Sequence, residues 1–118
     1  MNTINLSEWE RKMHVTFPED TRALGLRVEP GMDDAAYLKV RMPVRAWEKF
    51  LEESPVDPQD LDTAKRFFLG DDDDWWDPGK PAELPTAQAN LPDGSVLNLG
   101  VDLSGATEAT VYLMWHQR

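Results

Sequence analysis

The segment over 109–116, ATVYLMWH, sets Val111, Leu113 and Trp115 on one side of an extended chain and Tyr112, Met114 and His116 on the other. Alternation with a period of two is the mark of a β-strand. Large side chains on both sides place that strand centrally in a sheet, because an edge strand has fewer neighbours to cover them. Two further segments precede it. Residues 96–103 alternate through Leu97, Leu99, Val101 and Leu103, and 86–91 do so weakly through Ala87, Ala89 and Leu91. Pro92-Asp93-Gly94 and Ser104-Gly105-Ala106 supply turns between them, so the last third reads as a three-strand meander.

The first half offers a hairpin. Leu24, Leu26 and Val28 oppose Gly25, Arg27 and Glu29, and Ala36, Leu38, Val40 and Met42 oppose Ala35, Tyr37, Lys39 and Arg41. The turn-rich run Pro30-Gly31-Met32-Asp33-Asp34 joins them. Arg27, Lys39 and Arg41 are expected on the solvent face. Ser7-Glu8-Trp9-Glu10 has the form of a capping box and predicts a short helix over 7–14 with Trp9 and Met13 on one face. Pro43 begins a second helix over 43–53, with Val44, Trp47, Phe50 and Leu51 on its apolar stripe. Asp57-Pro58-Gln59-Asp60 opens a third, whose apolar face is Leu61, Ala64 and Phe68 and whose stop is Gly70. The expected fold is a single α+β domain over residues 1–118. It has an antiparallel sheet of about five strands, a β-hairpin plus a three-strand meander, with two to three short helices on one face.

With 118 residues and no cysteine, the chain excludes a disulfide framework, a thiolate metal site and a cysteine nucleophile. The first residues lack the apolar core of a secretory signal, and no run approaches the roughly 18 apolar residues of a membrane span. A cytoplasmic protein without membrane association is the expectation. Charge is uneven. Residues 52–83 hold eleven acidic side chains against Lys65, Arg66 and Lys80, so this stretch carries −8 of the net −10. That balance argues against nucleic acid, which requires a basic footprint, and favours a partner with a basic surface.

The acidic block culminates in Asp71, Asp72, Asp73, Asp74, Trp75, Trp76 and Asp77, followed by a run with prolines at 78, 81 and 85. The stretch lacks periodicity and reads as a long loop, a kind that is usually functional or disordered. Its tryptophans oppose disorder. Four consecutive aspartates suggest calcium or magnesium, but the spacing does not suit an ion. Counted from Asp71, positions five and six of a calcium loop are Trp75 and Trp76. Neighbours in an extended segment point opposite ways, so one tryptophan is expected in the core and one outside. The two histidines, His14 and His116, show no HExxH spacing, and His116 is expected to be an exposed or hydrogen-bonded edge residue. No serine lies in a Gly-x-Ser-x-Gly elbow, and no glycine-rich phosphate loop occurs. No catalytic residue, metal ligand or cofactor is therefore assigned, and the chain is expected not to be an enzyme.

The pieces Gly31-Met32-Asp33-Asp34-Ala35-Ala36-Tyr37-Leu38-Lys39, Trp75-Trp76-Asp77-Pro78 and Val111-Tyr112-Leu113-Met114-Trp115 resemble a set of small bacterial proteins with no assigned activity. The resemblance covers residues 17–116. It implies a single bacterial domain and carries no catalytic residue.

These readings converge on a non-enzymatic interaction protein. A concrete form is an immunity protein that neutralises a toxin with a basic active site. The residues expected to meet the partner are Asp71 to Asp74, Trp75, Trp76 and Asp77. The alternative expectation is a small binding module for a cationic ligand or a divalent metal ion. Oligomeric state is left open by the sequence.

Overall fold

The computed structural model describes residues 4–29 and 34–117. The connection over 30–33, with most of the expected hairpin turn, lies outside the described residues. Five strands form one antiparallel sheet in the order β1-β2-β5-β4-β3, namely β1 (Arg22–Glu29), β2 (Ala35–Pro43), β3 (Thr86–Asn90), β4 (Val96–Asp102) and β5 (Glu108–His116). The hairpin is β1–β2 and the meander is β3–β4–β5, and pairing of β2 with β5 joins them. The strand with large residues on both sides, β5, is the central one, as its pattern requires. Among the described residues no helix is long and apolar enough to cross a membrane.

One face of the sheet carries Ala36, Leu38, Val40 and Met42 of β2, and Val111, Leu113 and Trp115 of β5, all buried. Helices α1 (Leu6–Met13) and α2 (Val44–Glu52) close it with Trp9, Met13, Trp47, Phe50 and Leu51. Burial of this apolar area is the main force holding the layers together. The α1 cap differs from the expected box. Asn5 is the N-cap, its Oδ1 accepting from the Glu8 amide at 3.3 Å. Glu10 instead accepts from the Phe17 amide at 2.7 Å, tying down the segment after the helix. Pro43 is the last residue of β2 as well as the N-cap of α2, and Val44 is exposed rather than part of the buried stripe.

The third predicted helix is two pieces of 3-10 helix, Pro58–Asp60 and Thr63–Leu69. Asp57 caps the first through the Gln59 amide, and Asp62 caps the second through the Ala64 amide. A period of three rather than 3.6 turns a different face inward. Ala64 is exposed, and Leu69 is the buried residue. Gly70 ends the segment with φ +76°, as a terminating glycine should. This third element departs from the expected layering, because Leu69 packs on the face opposite α1 and α2.

Candidate functional site

The second face of the sheet was expected to meet solvent. Instead, residues 69–84 cover much of it. Register places three rows of side chains there: Tyr37, Met114 and Asn98, then Lys39, Tyr112 and Gly100, then Arg41, Thr110 and Asp102. The segment lies over the first two. Trp76 is 0% exposed and inserts edge-on between Tyr37 and Tyr112, at ring separations of 5.2 and 5.4 Å. Its indole N–H donates to the Leu69 carbonyl at 3.0 Å. Leu69 and Leu84 complete this second apolar cluster. They approach the sheet over Gly100, where a Cβ would lie 2.7 Å from Leu69 Cδ1 and 2.9 Å from the Thr86 hydroxyl. A side chain there would hold the cover off the sheet.

The two tryptophans differ in burial, but they lie in a tight turn rather than an extended segment, and neither is fully outside. Trp76 is the core anchor. Trp75 is half-buried, perpendicular to Trp76, and lies directly over Gly25, where a Cβ would come within 2.5 Å of the indole.

Beneath the segment is a polar knot. Lys39 Nζ donates to Asp77 Oδ1 at 2.8 Å and to the Trp75 carbonyl at 3.1 Å. The Tyr112 hydroxyl donates to the same Asp77 oxygen at 2.7 Å. Burial pushes the Asp77 carboxyl up, but the hydrogen bonds from Lys39 and Tyr112 and the charges of Lys39 and Lys80 outweigh it, so its pKa falls below 3.8. Burial raises the Tyr112 phenol above its usual range, and donation to Asp77 with the nearby carboxylate charges raises it further. Asp77 is thus held ionised and Tyr112 protonated. The knot is a clamp between the loop and the sheet. Asp77, expected to face a partner, is turned inward, and Lys39 is largely covered rather than on a solvent face.

The four aspartates serve separate purposes. Asp71 is exposed. Asp72 Oδ1 accepts from the Gly79 amide at 2.7 Å. Asp73 Oδ2 accepts from Arg27 Nη1 at 2.8 Å, and that guanidinium stacks on Tyr37 at 4.4 Å. Asp73 and Trp76 also exchange two backbone hydrogen bonds of 2.7 and 2.8 Å, closing a tight turn with Asp74 near its tip at φ +52°. Asp72 and Asp73 are thus engaged by different partners, and among the described residues no three of His, Asp or Glu are grouped to hold a metal ion. Arg66 straps the far end, donating to the carbonyls of Gly79 and Ala82 at 3.3 and 3.0 Å.

Sequence reasoning missed Phe67. It is 70% exposed, on the 3-10 segment that leads into the acidic run, with its ring 4.4 Å from Phe68. The signal was the Phe67-Phe68 pair, of which only one could join a single apolar stripe. The third row of the sheet face remains open as a groove of about 480 Å³, lined by Arg41, Asp102, Ser104, Thr110 and Lys80 among others. Its charges are mixed, and Arg41 makes one long bond from Nε to the Thr110 hydroxyl at 3.4 Å. His116 lies on the central strand, facing Ala35 and Val96 across its two neighbours, not at an edge. Comparison with protein-family models, with curated proteins and with solved structures finds no match.

Proposed function

We propose that the protein is a non-enzymatic interaction protein that covers a basic surface on a protein partner, in the manner of an immunity protein against a toxin with a cationic active site. One observation carries this reading. An exposed aromatic, Phe67, is followed within a few residues by the exposed carboxylates Asp71, Asp72 and Asp74, on a segment fixed by internal bonds. Carboxylates steer a basic partner toward the surface and raise the association rate. An aromatic side chain in a partner's pocket slows dissociation. A pre-ordered segment loses little further entropy on binding. Of the residues first expected to meet a partner, Trp76 and Asp77 hold the surface in place from below, and Phe67 takes the anchoring role.

The test is affinity capture from a lysate of the host cells, comparing the wild type with an Asp71→Lys/Asp74→Lys pair and with Phe67→Ala. The wild type should retain a basic protein that the charge-reversed chain loses. With that partner purified, charge reversal should slow association by about tenfold or more at low salt. Phe67→Ala should speed dissociation by about tenfold or more. Capture of no protein, or of a partner that binds all three chains equally, would overturn the proposal.

A further inference from the structure

The two edges of the sheet are finished differently. The β3 edge is five residues long and is capped where Asp62 exchanges backbone hydrogen bonds of 3.0 and 3.1 Å with Thr86. The β1 edge is eight residues long, and no described element pairs with its outer side. An uncovered edge is a template for another strand. Two of the five large apolar side chains exposed among the described residues sit on it, Leu24 at 37% and Val28 at 49%.

The side chains of β1 are arranged to suit a second copy of the same strand. A register shift between Ala23 and Gly25 makes Leu24 the extra residue of a bulge. Arg22 and Glu29 are seven residues apart and would otherwise lie on opposite faces. The bulge restores them to one face, where Arg22, Gly25, Arg27 and Glu29 pair with Arg41, Lys39, Tyr37 and Ala35. On the other face remain Ala23, Leu26 and Val28. We propose that the protein forms a homodimer by antiparallel pairing of the two β1 edges, giving one continuous ten-strand sheet.

In full overlap, Leu26 meets its counterpart at the two-fold axis, and Ala23 faces Val28 of the second copy. On that side an apolar row runs across the joint. On the other side Arg22 faces Glu29 of the second copy. Within one chain Arg22 already pairs with Glu108 at 2.9 Å, and Glu29 lies 3.1 Å from Arg27, which in turn pairs with Asp73. The joint therefore links Glu108, Arg22, Glu29, Arg27 and Asp73 into a ladder of alternating charge. A two-fold axis perpendicular to the sheet also sets both acidic segments on the same side. The dimer stands whether or not those segments bind a basic partner.

Sedimentation equilibrium measures it directly. The wild type should sediment at twice the 13.4 kDa chain mass as concentration rises. Arg22→Glu alone and Glu29→Arg alone each turn two attractive contacts into two repulsive ones, and each should weaken the dimer by about tenfold or more. Mixed together, the two variants regain both attractive contacts, so the mixture should form a heterodimer as tight as the wild type. That recovery needs both variants to be folded, and it cannot arise from a general loss of structure. A wild type that stays monomeric at every concentration would overturn the proposal. So would a dimer indifferent to both reversals, or a mixture that recovers nothing.

Discussion

The two faces of this sheet are covered in opposite ways. On one, β2 and β5 present only apolar side chains, and two amphipathic helices close over them. On the other, the same two strands present Tyr37, Lys39, Arg41, Thr110, Tyr112 and Met114, and an irregular segment closes over part of them. Apolar burial is non-directional, so the helix face depends on volume and area. The loop face depends on particular pairs: indole to Leu69 carbonyl, Lys39 and Tyr112 to one carboxylate oxygen, and Arg66 to two carbonyls. It follows that changes preserving shape but not hydrogen bonding should damage the loop face and spare the helix face.

The largest effects come from the two deepest aromatics. Trp76→Ala and Phe50→Ala should each destabilise the protein by about 3–5 kcal/mol, since both side chains are fully buried. The faces separate when shape is kept. Trp76→Phe leaves the Leu69 carbonyl without its donor, and the loss of that bond adds about 1–3 kcal/mol to the smaller packing change. Phe50→Leu should cost less than about 1.5 kcal/mol beyond the volume it removes. Urea unfolding monitored by tryptophan fluorescence and by circular dichroism measures all four. Equal penalties for Trp76→Phe and Phe50→Leu would mean that the loop face, too, is held by volume alone.

The polar knot gives the next largest difference. Asp77→Asn keeps the shape but removes the charge that Lys39 and Tyr112 address, and it should destabilise by about 1.5–3 kcal/mol at neutral pH. The sign of its pH dependence follows from linkage. Asp77 has a folded pKa below 3.8, so its contribution is complete above the unfolded value and is lost as pH falls through the folded one. The gap between wild type and Asp77→Asn should close below about pH 4. Tyr112 behaves inversely. Its folded pKa lies above 10.0, so its contribution is complete below that value and is lost as pH rises beyond it. A helix-face variant such as Leu38→Ala carries no titrating group and should show a gap independent of pH through both windows.

The helix face was legible in the sequence because periodicity encodes it. Ala36, Leu38, Val40 and Met42 alternate, and Trp47, Phe50 and Leu51 recur at helical spacing. The central place of β5 followed from its large residues on both sides. The loop face was not legible, because its determinants are pairs distant in sequence. Lys39 and Asp77 stand 38 residues apart, and nothing in either neighbourhood names the other. Local competition hid smaller features. Asn5 and Ser7 are both good caps, and the start of α1 is decided by which side chain reaches a free amide. Thr63–Leu69 could wind as α or 3-10, and Asp62 pairing with Thr86 at the sheet edge accompanies the tighter form. That choice set which residue turned in, Leu69, and left Phe67 outside.

The smallest effects should come from removing charge in the acidic run, although it is the most conspicuous feature of the sequence. Asp71 is exposed, so Asp71→Asn should change stability by less than about 0.5 kcal/mol. Asp73 pairs with Arg27 at the surface, with its side chain mostly exposed, so Asp73→Ala should cost no more than about 1 kcal/mol, less in high salt. Asp74 is a sharper probe, because its φ of +52° lies in the left-handed region, which aspartate and asparagine tolerate and β-branched residues do not. Asp74→Gly relieves the backbone but gives the unfolded chain more freedom, and these nearly cancel. Asp74→Val retains the strain and should cost about 1–2 kcal/mol. A series in which Asp74→Asn and Asp74→Gly match the wild type while Asp74→Val alone loses stability would show that this position answers to backbone geometry rather than charge. Destabilisation of equal size in all three would instead make the carboxylate itself part of the clamp, and the contrast between a pinned inner layer and a free outer one would fail at that residue.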